Sequence, residues 1–162
     1  MATDAYLLIQ GVTGESQSQG MTNNIELDSF SFGASNPADI GGKGLSGGKC
    51  SLSDFSFTCA VDQASYQILN DLYQGKPVPT CTFSLRKSTG SANPYTYLSV
   101  IMTNCYITSN AIGGGSQGIP TQSVSIAYEQ INYQYYTQDS SSGAVTLAGN
   151  ATYSITKALQ SA

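Results

Sequence analysis

The side chains able to do chemistry are four cysteines, at positions 50, 59, 81 and 105, and ten carboxylates spread along the chain. There is no histidine. A Ser-His-Asp triad, a Cys-His pair and a histidine-containing zinc site are therefore excluded. The cysteine spacings give no Cys-x-x-Cys and no other metal-ligand pattern. Each cysteine falls in an apolar or strand-like run, where a free thiol packs as a small hydrophobe. Four buried thiols are the favoured reading and one disulfide the alternative, which a cytosolic origin disfavours. Nothing marks a working pair among Asp4, Glu15, Glu26, Asp28, Asp39, Asp54, Asp62, Asp71, Glu129 and Asp139. The glycine runs lack the lysine and hydroxyl of a phosphate-binding loop, and neither clearly opens a helix. No catalytic residue, metal or cofactor is expected.

The elements that carry these residues read as strands almost throughout, with apolar and polar residues alternating at period two. Tyr6–Gln10 is a short apolar strand. Over Asn24–Gly33, Ile25, Leu27, Ser29 and Ser31 share one face, and Glu26, Asp28, Phe30 and Phe32 the other. Over Lys49–Val61, Phe55, Phe57, Cys59 and Val61 oppose Leu52, Asp54, Ser56 and Thr58. Further strands follow at Thr80–Arg86, Tyr95–Asn110, Gln122–Gln138 and Ala144–Gly149. Two of them change phase midway, near Glu129-Gln130 and between Met102 and Cys105. A β-bulge has that signature, and strands that swap faces turn a sheet into a corner.

One helix is expected over residues 63–74. Asp62 is placed to cap it, and Ala64, Ile68, Leu69, Leu72 and Tyr73 form an apolar stripe at helical spacing. Gly75 suits the left-handed stop and Pro77 forbids continuation. The fold class is mainly β: an antiparallel β-barrel or two-sheet barrel with this helix packed on it. At 162 residues the chain is read as a single domain over 1–162.

Residues 34–48 stand apart, with Pro37 and five glycines in their last eight positions. Fifteen residues without periodicity exceed what a hairpin needs, so this stretch is an interaction loop or a flexible linker. Gly113–Pro120 poses the same choice. The tyrosines at 128, 133, 135 and 136 are strand residues half buried in the sheet, or else a ligand platform.

Composition limits the partners. Charged residues make up 10% of the chain, against a typical share of about 25%. Ser, Thr, Asn and Gln fill the gap with 59 residues. No basic stripe exists to meet phosphates, so nucleic acid is not an expected partner. No apolar run approaches the roughly 20 residues of a membrane-spanning helix, and the first ten residues lack the charge and apolar stretch of a secretory signal. The expectation is synthesis in the cytosol, no membrane insertion, and assembly rather than chemistry.

The sequence resembles the Hcp family, the haemolysin-coregulated proteins of the bacterial type VI secretion system, from about residue 2 to residue 138. The likeness rests on ordered blocks: Asp4, Leu8-Ile9, Gly11-Val12 and Gly14-Glu15-Ser16; then Ile25, Leu27 and Ser29-Phe30-Ser31-Phe32-Gly33. After the glycine-rich loop come Gly48-Lys49, Ser53 to Thr58, Val61-Asp62 and Ala64-Ser65. Gly75-Lys76, Leu85-Arg86-Lys87, Gly90, Tyr97-Leu98 and Ser123 to Ile126 complete it. The family usually carries Trp in the Phe30/Phe32 segment, often Lys at the place of Cys59, and a more charged surface. Residues 140–162 match weakly.

The resemblance implies a structural tube subunit: hexameric rings stacked into a hollow tube. Such a tube lies inside a contractile sheath and is exported with a spike protein, with effector proteins held in the lumen. It implies secretion without a signal peptide. It also implies subunit contacts through Pro37, Asp39, Ile40, Lys43 and Leu45 of the long loop, and a lumen-facing set of Ser29, Ser31, Asp54, Ser56 and Thr58. A bacteriophage tail-tube protein would share this architecture, and a monomeric sugar- or peptide-binding β-module would use the tyrosine strands.

Overall fold

The computed structural model describes residues 3–41, 46–87, 94–156 and 159–161. Its elements in chain order begin with β1 (Thr3–Ile9), β2 (Ile25–Leu27), β3 (Ser29–Ser31), β4 (Ala34–Ser35) and β5 (Ala38–Asp39). They continue with β6 (Ser46–Gly47), β7 (Ser51–Leu52), β8 (Phe55–Ala60) and α1 (Ala64–Gln74). The long strands come last: β9 (Val78–Lys87), β10 (Tyr95–Gly113), β11 (Thr121–Gln138) and β12 (Val145–Ser154), then β13 (Leu159–Ser161).

Every pairing is antiparallel, in the order β13-β12-β11-β10-β9-β1-β2. The sheet forks at β11, whose Thr121–Ile126 half pairs with β8 while its Gln130–Gln138 half pairs with β12. β8 in turn pairs with β3. The expected strand over Asn24–Gly33 divides at Asp28, so that β2 joins β1 and β3 joins β8. Asp28 holds the bend through its backbone N–H, which donates to the Thr58 carbonyl at 2.8 Å. The wall therefore runs round the core, but it is joined there by the chain rather than by a strand ladder. The fold is mainly antiparallel β with one helix, and its sheet is not closed into a barrel by hydrogen bonds.

Alternation makes one side of this wall dry. Leu7, Ile9, Ile25, Phe55, Phe83, Val100, Met102 and Ile126 are all 0–1% exposed and meet in one core. Each large apolar side chain so buried stabilises the fold by about 1.5–3 kcal/mol. Phe55 and Phe83 form its centre, with ring centroids 5.2 Å apart.

The faces of β10 and β11 swap where the sequence indicates, since burial passes from Met102 to Cys105 and from Tyr128 to Ile131. The cause differs from the expected one-sided bulge. Thr103 stays opposite Gln130 and Cys105 opposite Tyr128, so both strands rotate together with register intact. Asn104 takes up the rotation with a φ of 54°, a left-handed conformation that Asn tolerates better than most residues. True register shifts lie elsewhere, between Ile107 and Ser109, between Thr96 and Leu98, and between Tyr135 and Tyr136.

The helix begins at Ala64, with Gln63 flanking it. Asp62 still caps the first turn: its carboxylate accepts from the Ala64 N–H at 3.0 Å, and its own N–H donates to Ser65 Oγ at 3.1 Å. Gly75 ends the helix at φ 61°, where its lack of a Cβ removes the left-handed penalty, and Lys76 N–H returns to the Asp71 carbonyl at 2.9 Å. Ala64 and Ile68 face the core, but Tyr73 does not: it is 77% exposed, on the same outer side as Tyr66 seven residues earlier. The expected stripe is thus narrower by one residue.

Phe30 and Phe32 also depart from full burial. Phe57 and Phe55 are inside, whereas Phe30 is 36% exposed and Phe32 half-buried. Among the described residues β3 pairs with β8 alone, so the Phe30 ring is covered from one side, against Phe83 at 4.5 Å.

Candidate functional site

The polar side of the forked sheet carries most of the residues expected to face a lumen. Across an antiparallel ladder, directly opposed residues point to the same face. Ser29 stands opposite Thr58, which stands opposite Ser123, which stands opposite Ala111. The next row on that face is Ser31, Ser56, Ser125 and Ser109. Their hydroxyls bond across the strands: Ser29 Oγ to Thr58 Oγ1 at 2.6 Å, and Ser56 Oγ to Ser125 Oγ at 3.1 Å. Asp54, exposed just before β8, accepts from Thr108 Oγ1 at 3.0 Å. The structure thus brings Ser29, Ser31, Asp54, Ser56 and Thr58 onto one surface of hydroxyls with a single carboxylate among those named.

Sequence reasoning missed the other half of this surface, Thr108, Ser109, Ser123 and Ser125. The signal was present: Ser123 and Ser125 flank Val124 and precede Ile126 in the same alternation that assigned Ser56 and Thr58.

The second set of expected residues sits on an arm that leaves the sheet between β3 and β8. It is a stepped hairpin rather than a structureless loop. Ala34 pairs with Leu52 and Ser35 with Ser51; farther out Ala38 pairs with Gly47 and Asp39 with Ser46. At the step, Gly48 N–H donates to the Pro37 carbonyl at 3.1 Å. A Cβ on Gly48 would lie 2.5 Å from that oxygen, so glycine is required there. Pro37 and Ile40 are exposed, Ile40 to 79%. Lys43 and Leu45 lie outside the described residues.

At the root of the arm, where β3, β7 and β12 converge on β11, is a cavity of about 590 Å³. Its wall is mostly apolar, with Phe32, Leu52, Ile131 and Tyr153 among its residues, and Lys49 and Cys50 also line it.

The thiols are all free, and Cys50 is half-buried rather than buried. Burial pushes the Cys59 thiol up to about 11, against the opposing pull of its hydrogen bond with Gln122. The neighbouring Cys105 and burial push Cys81 up as well. Burial likewise raises the Tyr128 phenol to about 12, and its hydroxyl donates to the Ser53 carbonyl at 2.8 Å. Such groups stay neutral near pH 7 and act as packing rather than as nucleophiles. The tyrosine strands divide in the same way: Tyr128 is buried, while Tyr133 and Tyr135 are 38% and 39% exposed. Among the described residues no cluster of His, Cys, Asp or Glu could hold a metal, and no helix is long and apolar enough to cross a membrane.

This mainly antiparallel fold with one helix is shared with solved type VI secretion proteins. One solved structure of such a protein superposes with a TM-score of 0.91 at 25% identity, covering 99% of this chain and 100% of that one. The Hcp1 structure from Salmonella typhimurium shares the fold at TM-score 0.78 and 24% identity, over 99% of this chain and 100% of that one. In sequence, protein hcp1 of Pseudomonas aeruginosa is 28% identical over 140 residues, 85% of this chain and 86% of its own length. The family described as type VI secretion system effector, Hcp, matches residues 6–135, and the chain belongs to it. It is accordingly a structural subunit of the type VI secretion tube and not an enzyme. The family self-assembles and is secreted through that system.

Proposed function

We propose that the chain closes into hexameric rings that stack head to tail into a hollow tube. The tube is exported with a spike protein from within a contractile sheath, and effector proteins ride in the lumen. The whole chain acts as one domain in this reading. The observation that carries it is the hydroxyl-lined face spanning β3, β8, β11 and β10. A lumen wall built from Ser29, Ser31, Ser56 and Thr58 presents short neutral hydroxyls, with Ser29 bonded to Thr58 and Ser56 to Ser125, and Asp54 at its margin. Cargo sliding past such a wall meets few charges to desolvate.

Pro37, Asp39, Ile40, Lys43 and Leu45 supply contacts between subunits from the arm. A heterologous contact of this kind closes into a ring or propagates as a filament, and a tube of stacked rings uses both. Negative-stain electron microscopy of the purified chain tests the reading. Rings with a central channel that stack at high concentration support it; a field of single subunits at every concentration overturns it.

A further inference from the structure

We propose that the cavity at the root of the arm binds a small carboxylic acid, its apolar body against the aromatic wall and its carboxylate on Lys49. This inference goes beyond the assembly reading: every residue of the site belongs to one copy of the chain, and its test does not depend on ring formation.

The wall stands without a ligand. Phe32 stacks on the core ring of Phe55 with centroids 5.8 Å apart and meets Tyr133 at 6.4 Å. The Tyr153 hydroxyl donates to the Cys50 carbonyl at 3.4 Å, as that of Tyr128 does to Ser53. Both phenols thus commit their donors to the arm root, on either side of β7, and leave their rings as lining. A volume of about 590 Å³ falls in the roughly 300–1,000 Å³ range of sites that enclose a small ligand. Tyr133 stands opposite Val100, a core residue, so the cavity continues the face of the core. It is separate from the hydroxyl face assigned to the lumen.

The lining selects the chemistry. Lys49 is the one charged residue in the wall, in a chain with only six Lys and Arg. Among the described residues its ammonium takes no ion pair and no hydrogen bond. A free cation beside an apolar wall suits an anion with an apolar body, since burying the body excludes water around the charge pair. No carboxylate lines the cavity, which disfavours an amine or a sugar. The tyrosines expected as a ligand platform divide here: Tyr128 and Tyr133 line the cavity, Tyr135 and Tyr136 do not.

Cys50 reports occupancy. It is half-buried and lines the cavity, whereas Cys59, Cys81 and Cys105 are at most 1% exposed. The purified chain is alkylated with iodoacetamide, with and without octanoate, and the rate at Cys50 is read by mass spectrometry. Octanol is the uncharged counterpart. Octanoate should slow Cys50 several-fold, and calorimetry should show octanol binding about tenfold more weakly, through loss of one charge-assisted contact. Lys49→Gln should bring octanoate down to the level of octanol, and Lys49→Arg should restore it. Ala151→Phe fills the cavity from an exposed position opposite Tyr133 and should abolish the slowing, each variant being compared with and without acid. Slowing that is lost in Ala151→Phe and reduced in Lys49→Gln supports the proposal. No slowing, slowing that survives Ala151→Phe, or equal binding of acid and alcohol overturns it and leaves the assembly reading standing.

Discussion

The Asn104 side-chain amide donates to the Glu129 carboxylate at 2.6 Å across the corner where both long strands turn over. The other Glu129 oxygen accepts from Thr156 Oγ1 at 2.7 Å, and the Glu129 carbonyl accepts from the Ile155 N–H at 2.8 Å. One residue pair thus fixes the corner and ties it to the end of β12. The corner in turn separates the β8 side of the fork from the β12 side. Without it the hydroxyl face and the cavity at the arm root would lie on one flat sheet.

Asn104→Val should therefore destabilise the fold by about 2–4 kcal/mol, combining a lost charge-assisted hydrogen bond with a left-handed β-branched residue. Asn104→Gly keeps the backbone and should cost less. Urea unfolding of both variants gives the comparison, and an equal loss in the two would show that the conformation at 104 carries no strain.

Phe57→Ala should cost about 3–5 kcal/mol, since Phe57 is 2% exposed between Phe30 and Val124 on the neighbouring strands. Phe30→Ala should cost clearly less, because one side of its ring already meets solvent. Ser31→Ala, on the hydroxyl face, should leave stability within about 0.5 kcal/mol. A Phe57→Ala protein as stable as the wild type would refute the assignment of faces.

The face assignment was legible because Phe55-Ser56-Phe57-Thr58 alternates without a break and β8 pairs with both neighbours without a register shift. The division at Asp28 was not, because the change of phase from Ile25 and Leu27 to Phe30 and Phe32 does not tell that the chain changes partners there. Nothing in period-two patterning records which strand lies alongside. The corner was visible only as a change of phase. A one-sided bulge and a paired rotation leave the same trace in a single strand, and only the pairing of Asn104 opposite Glu129 separates them. The arm's short ladders escaped notice because Ala, Ser, Gly and Asp carry no apolar period. The cavity was illegible for a related reason, since Phe32, Leu52, Ile131 and Tyr153 come from four distant segments.

Thiol chemistry should single out Cys50. In the native protein near pH 8, a small alkylating reagent should modify one cysteine quickly and the other three only on unfolding. Chelator and reductant should leave the assembled mass unchanged. Rapid modification of Cys59 would contradict its burial.

Alkaline pH should destabilise the fold through Cys59. Its folded pKa is raised from 9.0 to about 11, so its stabilising contribution is complete below pH 9 and is lost as pH rises towards 11. The loss is on the order of 2–3 kcal/mol, and Tyr128 adds to it between pH 10 and about 12. Urea midpoints measured from pH 7 to 11 should fall in the upper half of that range, and Cys59→Ala should flatten the fall.

Replacing residues 36–47 by an Asn-Gly turn should leave a folded sheet, because a hairpin needs only about two to five connecting residues. Circular dichroism should be close to that of the wild type, while ring closure or stacking is impaired. A shortened chain that still forms tubes would make the arm a passive linker.

The most direct measurement is the mass of the purified chain by light scattering. A hexamer, six times the 17.0 kDa subunit, is the predicted result. A mass of one subunit that does not change with concentration would contradict the account.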